Sequence, residues 1–455
     1  IRGTIGGKVG ENLTPIDIVK YVSAFITLLK ENEPNKTLRI VVGRDARISG
    51  EMVSSIVCGT IQSMGADVID VGLSTTPTVE MSVVSHKADG GIIITASHNP
   101  MQWNALKLLR SNGEFVSGAD GVRIQQWVKE ANFTYEEAKK LGHYSFYENA
   151  IADHIEKILA LEWVDVDAIS RANFNVAVDA VNSTGGIAIA QLLKKLGVKR
   201  STILNGEPTG VFAHNPEPLP EHLAEISNLI DKNSFHVGFV VDPDVDRLAI
   251  VMENGEMFGE EYSLVAIADY ILQNQKGNTV SNLSPTRALR DISEKYGVSY
   301  AAAAVGEVNV VEKMKETNAI IGGEGNGGII LPALHYGRDA LVGIALFLTY
   351  MAKTKKSPVQ IKSQFPSYFI SKNKIELKPE TNVPHILDCV AEKYKAYSVN
   401  RIDGVKVDFE DNWIHLRASN TEPIIRIYAE ATNMSIAENL AKKILNDIKE
   451  IINEQ

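Results

Sequence analysis

The chain has 455 residues, of which 44% are apolar and 22% are charged, and its formal net charge is −10. This composition is typical of globular domains with apolar cores, and the length predicts about three or four such domains. The negative charge argues against a general nucleic-acid-binding protein, although a local cluster of Arg and Lys can still bind an anionic substrate.

The cysteines and the apolar runs indicate the compartment. With two cysteines, Cys58 and Cys389, neither a disulfide framework nor a cysteine-based zinc site is expected, and a reducing cytoplasm is the simplest location. The longest apolar run, residues 340–352, is too short to span a bilayer and predicts a buried helix. No secretory signal opens the sequence, so no membrane partner is expected. Because the chain begins with Ile1 rather than Met, we expect a few native residues to precede it.

The first part of the chain predicts a parallel α/β layer. Thr14 and Pro15 are suited to the N-cap and the first position of a helix. A strand at residues 38–42, a helix at 50–64 and a strand at 68–71 follow, and a strand–helix–strand unit is typical of a parallel sheet.

The same pattern recurs further along the chain. A strand at residues 174–178 precedes a polar turn at 182–186 and a helix at 187–196. The third instance comprises strands at 237–241, 248–251 and 279–282 and helices at 262–273 and 286–296. We therefore expect three related α/β domains.

The C-terminal part differs from the rest. Strands at residues 405–409, 413–417 and 424–429 precede one terminal helix, for which Ser435 and Glu438 predict a capping box. This pattern predicts a small α+β domain. The expected domain boundaries are 1–147, 148–252, 253–365 and 366–455.

A loop rich in hydrogen-bonding groups, Thr-Ala-Ser-His-Asn-Pro at residues 95–100, follows an apolar strand. Ser97 stands at the end of that strand, which suits an exposed nucleophile. The sequence contains no Gly-x-Ser-x-Gly motif here, so a hydrolase nucleophile is not supported. Taken alone, the loop is equally compatible with a polar turn.

Three carboxylates alternate in the loop Asp242, Asp244, Asp246, which continues with Arg247. They would repel one another unless a cation such as Mg²⁺, which prefers hard oxygen ligands, lies between them. The spacing lacks the glycine and the distal glutamate of an EF-hand. For this loop alone, a solvated acidic turn and an aspartyl-phosphate phosphatase that uses Asp242 remain alternatives.

The segment 323–328 contains the spacing Gly-x-Gly-x-x-Gly. A dinucleotide site requires a helix to begin there, whereas residues 329–332 predict an extended segment, so nucleotide binding is rejected. Glu324 and Asn326 are instead candidate partners of sugar hydroxyls, and a plain glycine-rich turn is the alternative.

Two segments concentrate arginine. Residues 417–423, together with Arg426, supply guanidinium, hydroxyl and amide donors that match the oxygens of a phosphate, and a hydrophilic hairpin is the alternative. Residues 44–47, Arg-Asp-Ala-Arg, are interpreted as a structural ion-pair corner rather than as catalytic residues.

These loops, in this order, resemble those of the α-D-phosphohexomutases, which include phosphoglucomutase, phosphomannomutase and phosphoglucosamine mutase. The resemblance covers essentially the whole chain. It implies three related α/β mixed-sheet domains and a C-terminal α+β domain around a central cleft. It also implies a Mg²⁺-dependent mutase that moves a phosphate within a sugar phosphate substrate, by way of a phosphoserine and a sugar bisphosphate intermediate.

The family motifs also assign roles to single residues. The resemblance makes Ser97 the phosphoserine, and the implied metal ligands are Ser97, Asp242, Asp244 and Asp246. The other implied catalytic residues are Arg2, His98, Lys107 and Arg247, the sugar ligands are Glu324 and Asn326, and the phosphate ligands are Arg417, Ser419, Asn420, Thr421 and Arg426.

Two departures from the family pattern leave the sugar open. The family's sugar loop more often reads Glu-x-Ser-Gly-His, whereas Asn326 and Gly328 replace the Ser and the His here. The Val-Gly-His segment of hexose-selective relatives is Val-Gly-Glu at residues 305–307. The loop resembles that of mutases acting on glucosamine or mannose phosphates, and glucosamine 6-phosphate is the favoured substrate. A catalytically silent sugar-phosphate-binding protein is the alternative of another class.

Overall fold

The computed structural model of the protein describes residues 1–32, 36–378, 381–419 and 423–453. In residues 1–149, strands and helices alternate. The elements are β1 (Arg2–Thr4), α1 (Pro15–Asn32), β2 (Arg39–Arg44), α2 (Gly50–Ser63), β3 (Asp67–Leu73), α3 (Thr76–Ser85), β4 (Gly90–Ile94), β5 (Trp103–Arg110), α4 (Gly118–Glu130), a 3-10 turn at Ala138–Lys140, and β6 (Tyr144–Phe146).

The alternation continues through the middle of the chain. Up to residue 259 the elements are α5 (Ala150–Leu159), α6 (Val166–Ala172), β7 (Asn175–Asp179), α7 (Gly185–Lys195), β8 (Arg200–Leu204), a 3-10 turn at Pro220–His222, α8 (Ala224–Asp231), β9 (Val237–Val241) and β10 (Leu248–Val251). They are followed by α9 (Glu260–Asn274), β11 (Asn278–Asn282), α10 (Ala288–Tyr296), β12 (Tyr300–Ala303), α11 (Glu307–Thr317), β13 (Ala319–Glu324), β14 (Gly328–Ile330), α12 (Ala340–Thr354) and α13 (Pro358–Lys362).

The C-terminal part contains mostly strands. Its elements are β15 (Phe369–Glu376), α14 (Val383–Lys393), β16 (Ser398–Asn400), β17 (Val405–Asp408), β18 (Trp413–Ala418), β19 (Ile424–Ala431) and α15 (Met434–Asn453). The predicted strands and helices are all present, and their ends differ from the predicted ones by a few residues at most.

The chain divides into two compact units, of which the first contains residues 1–270 and 327–361. One of its sheets has the strand order β1-β5-β4-β2-β3-β6, and the other has the order β10-β9-β7-β8. In each sheet the central strands are parallel, and an antiparallel strand, β5 or β10, pairs with β4 or β9. Both sheets are therefore mixed. The loops after the parallel strands β2 and β4 lie side by side at one edge, because the carboxyl ends of parallel strands coincide.

The first helix begins as the sequence predicts. Pro15 is its first residue, and the Asp17 N–H donates to Thr14 Oγ1 at 3.4 Å, while the Thr14 N–H donates to Asp17 Oδ2 at 3.1 Å. Its apolar residues recur at helical spacing and are buried against the first sheet; among them are Ile18, Val22, Phe25 and Ile26. Burial of such side chains contributes about 1.5–3 kcal/mol each, so the stripe fixes the helix on the sheet.

The second unit contains residues 271–326 and 362–455. Within it, β11 is parallel to β12 and β13, and the C-terminal sheet has the order β15-β19-β18-β17-β16 with antiparallel pairs throughout. The helices α14 and α15 supply Ile386, Val390, Ile444 and Ile448 to the core of this sheet. The predicted C-terminal α+β domain is confirmed.

The start of the terminal helix differs from the prediction. The helix begins at Met434, so Ser435 lies inside it, and the capping box predicted for Ser435 and Glu438 is wrong. Instead Asn433 Oδ1 accepts a hydrogen bond from the Ile436 N–H at 2.9 Å. Serine and asparagine are similarly good N-caps, so the sequence offered two neighbouring starting points for this helix.

The apolar run at residues 340–352 forms the helix α12, which is buried along almost its whole length. The prediction of a buried helix is confirmed. Among the residues that the structure describes, no helix combines the length and the apolar character needed to cross a bilayer.

A buried polar network holds the first turn of α12. Asp339 is the N-cap, and its Oδ1 accepts from the Leu341 and Val342 N–H groups at 2.8 and 3.3 Å. Its Oδ2 lies 2.9 Å from His154 Nε2 and 3.3 Å from His335 Nε2. The other ring nitrogen of His335 lies 3.2 Å from Glu80 Oε2. These contacts join two helices to the segment before α12.

This network makes stability depend on pH. Burial opposes the charge of His335, but the hydrogen bond to Asp339 and the neighbouring Glu80 carboxylate outweigh it and raise the pKa of His335 to about 10. A raised pKa contributes stability that is complete below the unfolded pKa of about 6.5 and is lost as the pH rises through about 10. His335→Gln should therefore cost about 2–3 kcal/mol at pH 6 and clearly less at pH 10.

Urea denaturation of the wild type and the variant at both pH values measures this difference. His143→Gln, at an exposed position in the same unit, is the control and should change stability little at either pH. A cost for His335→Gln that does not change with pH would contradict the prediction.

Candidate active site

The loop that carries Ser97 is a strained turn at the end of β4. Ser97 has a φ of 50°, a left-handed conformation that is costly for a residue with a side chain. Its N–H donates to Thr95 Oγ1 at 2.9 Å, and that hydroxyl donates to Asp45 Oδ2 at 2.6 Å. The turn directs Ser97 Oγ to Asp242 Oδ2, to which it donates at 2.8 Å. The expectation of an exposed serine is wrong, because Ser97 is only 7% exposed.

Arg47 fixes the same loop through its guanidinium group. It is 1% exposed and forms an ion pair of 3.0 Å with Asp45, so the predicted structural corner is confirmed. Its guanidinium donates to three backbone carbonyls of the loop, those of Ser97, Asn99 and Pro100, at 2.5, 2.7 and 2.8 Å, and to the Trp103 carbonyl at the start of β5 at 3.0 Å. A buried guanidinium with this many acceptors fixes the loop and offsets the strain at Ser97.

The three aspartates follow β9 and are completely buried. One oxygen of each carboxylate is anchored by the protein. Asp242 Oδ1 accepts from the N–H groups of Asp246 and Arg247 at 3.2 Å each. Asp244 Oδ2 accepts from Thr76 Oγ1 at 2.5 Å, and Asp246 Oδ2 accepts from Arg338 Nη2 at 2.7 Å.

The other oxygens of the triad are suited to a metal ion. Asp244 Oδ1 and Asp246 Oδ1 are buried without a hydrogen-bond partner, and one oxygen from each of the three carboxylates lies within 4.8 Å of the others. Unpaired buried carboxylate oxygens are costly unless a cation neutralises them. The donor set of three carboxylates and the Ser97 hydroxyl consists of hard oxygens, so the residues fit a divalent cation that prefers oxygen.

Two cations of the protein, Lys107 and Arg338, already compensate part of this charge. Lys107 Nζ donates to Asp244 Oδ2 at 2.7 Å and to Asp246 Oδ2 at 3.2 Å. Burial opposes the charge of Lys107, but the two carboxylates outweigh it and raise its pKa, so Lys107 stays protonated. Burial and the neighbouring Asp246 and Asp244 raise the pKa of Asp242 well above its usual range, so this carboxyl has least compensation.

His98 lies beside Ser97. Its Nδ1 is 3.4 Å from Ser97 Oγ. Burial, together with Arg247, lowers the pKa of His98 to about 3, so its imidazole is neutral. A neutral imidazole can form a hydrogen bond with the serine hydroxyl, but it has no positive charge that would attract a phosphate.

Arg2 and Arg247 lie in the same unit as the triad. Arg2 is on β1, which pairs with β5, and its Nη1 donates to Asn99 Oδ1 at 2.9 Å. Arg247 Nε lies 4.0 Å from Asp246 Oδ1. The fold therefore brings guanidinium groups to the serine loop and to the metal loop.

Two residues of this site, Thr76 and Arg338, are absent from the predicted set. Both anchor the aspartates, as described above. Arg338 precedes Asp339, the N-cap of α12, and recognition of that cap was the one available signal, because polar residues before a buried helix mark its start. Nothing in the local pattern around Thr76 indicates a carboxylate partner 168 residues away in sequence.

The second unit holds the candidate sugar residues. Glu324 Oε1 accepts from Asn282 Nδ2 at 2.8 Å and from the Gly306 N–H at 3.1 Å. Asn326 Oδ1 is buried and has no hydrogen-bond partner. The strand β14 begins at Gly328, which bears out the rejection of a nucleotide-binding helix at this loop.

The same unit holds the candidate phosphate residues that the structure describes. Arg417 and Arg426 are paired across β18 and β19, and the Ser419 N–H donates to the Ile424 carbonyl at 3.0 Å. Arg417 Nη1 lies 3.6 Å from Asp403 Oδ2. The predicted ligands Asn420 and Thr421 lie outside the described residues.

Family models cover nearly all of the chain. Those for phosphoglucomutase/phosphomannomutase α/β/α domains I, II and III match residues 1–135, 152–255 and 260–368, and the one for the C-terminal domain matches residues 378–447. Together with the mixed sheets and the terminal antiparallel sheet, they confirm the predicted fold of three α/β domains and one α+β domain.

Curated relatives are similar over their full length. A phosphoglucomutase/phosphomannomutase of Thermococcus kodakarensis is 35% identical, with 94% of each chain covered. A phosphoglucosamine/phosphogalactosamine mutase of Sulfurisphaera tokodaii is 32% identical, with 99% of this chain and 98% of the relative covered. Among solved structures, a phosphoglucomutase/phosphomannomutase family protein from Burkholderia thailandensis gives a TM-score of 0.85 at 24% identity, covering 99% and 96% of the two chains, which supports the fold alone.

Replacing one carboxylate of the triad should weaken metal binding while the protein still folds. Asp244→Asn removes one negative charge and one hard oxygen, so we expect Mg²⁺ affinity to fall by about tenfold or more, which corresponds to about 1.4 kcal/mol. Isothermal titration of Mg²⁺ without substrate measures this. The control is Asp167→Asn, at an exposed position on α6. Equal Mg²⁺ affinity in the wild type and the Asp244→Asn variant would remove Asp244 from the metal site.

Proposed function

Because the chain belongs to the phosphoglucomutase/phosphomannomutase family of phosphohexomutases, we propose that it interconverts a hexose 6-phosphate and a hexose 1-phosphate through phospho-Ser97 and a bisphosphorylated sugar. The favoured substrate is glucosamine 6-phosphate, and the alternative is a mutase acting on mannose or glucose phosphates. The carrying observation is the hydrogen bond of 2.8 Å from Ser97 Oγ to Asp242 Oδ2, which joins the nucleophile to the buried triad.

The triad and Ser97 Oγ would hold Mg²⁺. When bound, Mg²⁺ supplies positive charge that neutralises the serine phosphate and makes the serine oxygen a better leaving group. The protein's own cations act on the same charge. Lys107 keeps its proton between Asp244 and Asp246, so we assign it charge stabilisation rather than proton abstraction.

Transfer begins with phospho-Ser97 and a hexose 6-phosphate. The free sugar hydroxyl attacks the phosphorus as the bond from phosphorus to Ser97 Oγ breaks, and the hydroxyl proton passes to Ser97 Oγ, which leaves a sugar bisphosphate and free serine. The bisphosphate then turns end over end, and Ser97 Oγ takes the other phosphate. Phosphoryl transfer depends mainly on positioning and charge neutralisation, which agrees with a serine loop fixed by Arg47 and its partners.

The remaining candidate residues bind the substrate in this proposal. Arg417, Ser419 and Arg426, with Asn420 and Thr421, hold the phosphate that is not reacting, and Arg2 and Arg247 act on the reacting one. Glu324 and Asn326 recognise the sugar. Both offer acceptor oxygens, and the unpartnered Asn326 Oδ1 needs a donor. A protonated amino group of glucosamine would be a charged donor to this oxygen, whereas a hydroxyl of glucose or mannose would be a weaker, neutral one, and this difference favours the amino sugar.

Two other classes of function are less well supported. An aspartyl-phosphate phosphatase that uses Asp242 accounts neither for the Ser97 loop nor for the arginine-rich segment at residues 417–426. A silent sugar-phosphate-binding protein does not need a strained serine at a buried carboxylate triad, and both features are present.

The transferable phosphate should be found on Ser97. Incubation with a hexose 1,6-bisphosphate should add one phosphate, about 80 Da, and peptide mapping should place it on Ser97, because this hydroxyl faces the triad. Ser97→Ala should abolish the label, whereas Ser111→Ala, at an exposed position, should not. A phosphate found on Asp242 would support the phosphatase instead.

The choice of sugar has its own test. We expect kcat/KM for glucosamine 6-phosphate to exceed the values for glucose and mannose 6-phosphates by about tenfold or more, because one charge-assisted hydrogen bond contributes about 1.5–3 kcal/mol. Coupled assays with the three substrates side by side measure the ratios. Asn326→Ala should reduce the preference for glucosamine 6-phosphate. A higher value for mannose or glucose 6-phosphate would favour the alternative substrate.

A further inference from the structure

Asp403, in the turn between β16 and β17, contacts parts of both the sugar-binding and the phosphate-binding regions of the second unit. Its Oδ2 accepts from the Val305 N–H at 3.0 Å and lies 3.6 Å from Arg417 Nη1. Its carbonyl accepts from His415 Nε2 at 2.7 Å. The same carboxylate oxygen therefore contacts both the segment at residues 305–307 and Arg417, the first arginine of the candidate phosphate loop.

The turn that carries Asp403 is firmly placed. Gly404 has a φ of 72°, and a Cβ there would lie 2.0 Å from the Leu416 carbonyl oxygen, so the turn packs directly on β18. His415 is buried, and burial lowers its pKa to about 4, so its ring is neutral. Because a carbonyl only accepts, His415 donates through Nε2 and accepts at Nδ1 from Ser284 Oγ, 3.1 Å away.

The contacts continue from Asp403 to the sugar residue Glu324. The Gly306 N–H, next to Val305, donates to Glu324 Oε1 at 3.1 Å. Asn282 Nδ2 donates to the same oxygen at 2.8 Å, and Asn282 Oδ1 accepts from the Ser284 N–H at 3.0 Å. Ser284 then reaches His415, so the hydrogen bonds close a ring within the second unit.

We propose that Asp403 is a positioning residue that couples recognition of the sugar to recognition of the distal phosphate. It holds Arg417 through charge and holds Glu324 through the Val305–Gly306 backbone, without contacting the sugar itself. The inference rests on the proposed function, which places Glu324 on the sugar and Arg417 on the phosphate. Discrimination between hexose phosphates then depends on a residue remote from the sugar.

Asp403 has two separable properties, a charge and an acceptor oxygen. Asp403→Asn keeps an acceptor for the Val305 N–H and removes the charge beside Arg417. It should weaken the binding of inorganic phosphate and of all three hexose 6-phosphates by the same factor. We expect about three- to fivefold, because the ion pair is partly exposed. The ratios between glucosamine, glucose and mannose 6-phosphates should stay unchanged.

Asp403→Ala removes both properties. It should weaken binding by about tenfold or more and bring the affinity ratios among the three hexose 6-phosphates several-fold closer to one, since the Val305 N–H loses its acceptor. The control is Asp388→Asn, whose carboxylate forms an exposed ion pair with Arg401 in the same unit. Affinities come from isothermal titration with these ligands and inorganic phosphate, and thermal melting monitors folding.

A double-mutant cycle keeps the proposal testable if Asp403→Ala does not fold. In the Arg417→Ala background, Asp403→Asn should no longer change phosphate affinity, because residues in contact are not additive. Additive losses, or unchanged affinity ratios in a folded Asp403→Ala protein, would overturn the coupling.

The binding measurements also separate this inference from the proposed function. A wild type that binds hexose phosphates without mutase turnover contradicts the proposed function. In that case the affinities of the Asp403 variants still test the coupling. An active wild type whose Asp403 variants behave like Asp388→Asn contradicts the coupling alone. A wild type that binds none of the ligands overturns both.

Discussion

The burial of three carboxylates within five residues is the constraint on which the first unit depends. Asp242, Asp244 and Asp246 have no exposed surface, and carboxylates in such a position cost several kcal/mol each unless they are compensated. Lys107 and Arg338 compensate two of them, and backbone N–H groups and Ser97 bind the third. Ser97, Lys107 and Arg338 come from segments outside the loop, so the loop depends on tertiary contacts for its charge compensation.

Ser97, the proposed nucleophile, is held firmly by a second buried set of charges. Ser97 adopts a left-handed conformation, and a strained residue persists only where its surroundings determine it. Asp45 binds Thr95 and Arg47, and Arg47 binds the loop carbonyls, so one buried ion pair fixes the whole turn. These contacts fix the position of Ser97 Oγ at its hydrogen bond to Asp242. Such preorganisation favours phosphoryl transfer, in which positioning is the main contribution of the protein.

The candidate residues divide between the two units by chemical role. Ser97, the proposed phosphoryl carrier, and the three aspartates belong to the first unit, whereas Glu324 and Arg417 belong to the second. In the second unit, the Asp403 carboxylate, backbone N–H groups and neutral side chains connect the sugar and phosphate residues, whereas in the first unit ion pairs dominate. This difference follows from the tasks, since a metal-binding triad needs strong charge compensation and a recognition surface needs fixed distances.

The sequence by itself determined the elements and the candidate loops, because both depend on short-range patterns. Helical and strand periodicity, the Thr14 cap and the spacing of the aspartates are local, and the resemblance of the loops to a family added their order. Tertiary structure decided the contacts of Arg338, Thr76 and Asp403, because their partners lie far away along the chain. Hydrogen bonds and ion pairs depend on distances of a few ångströms, and only the packing of sheets and helices brings such distant residues that close.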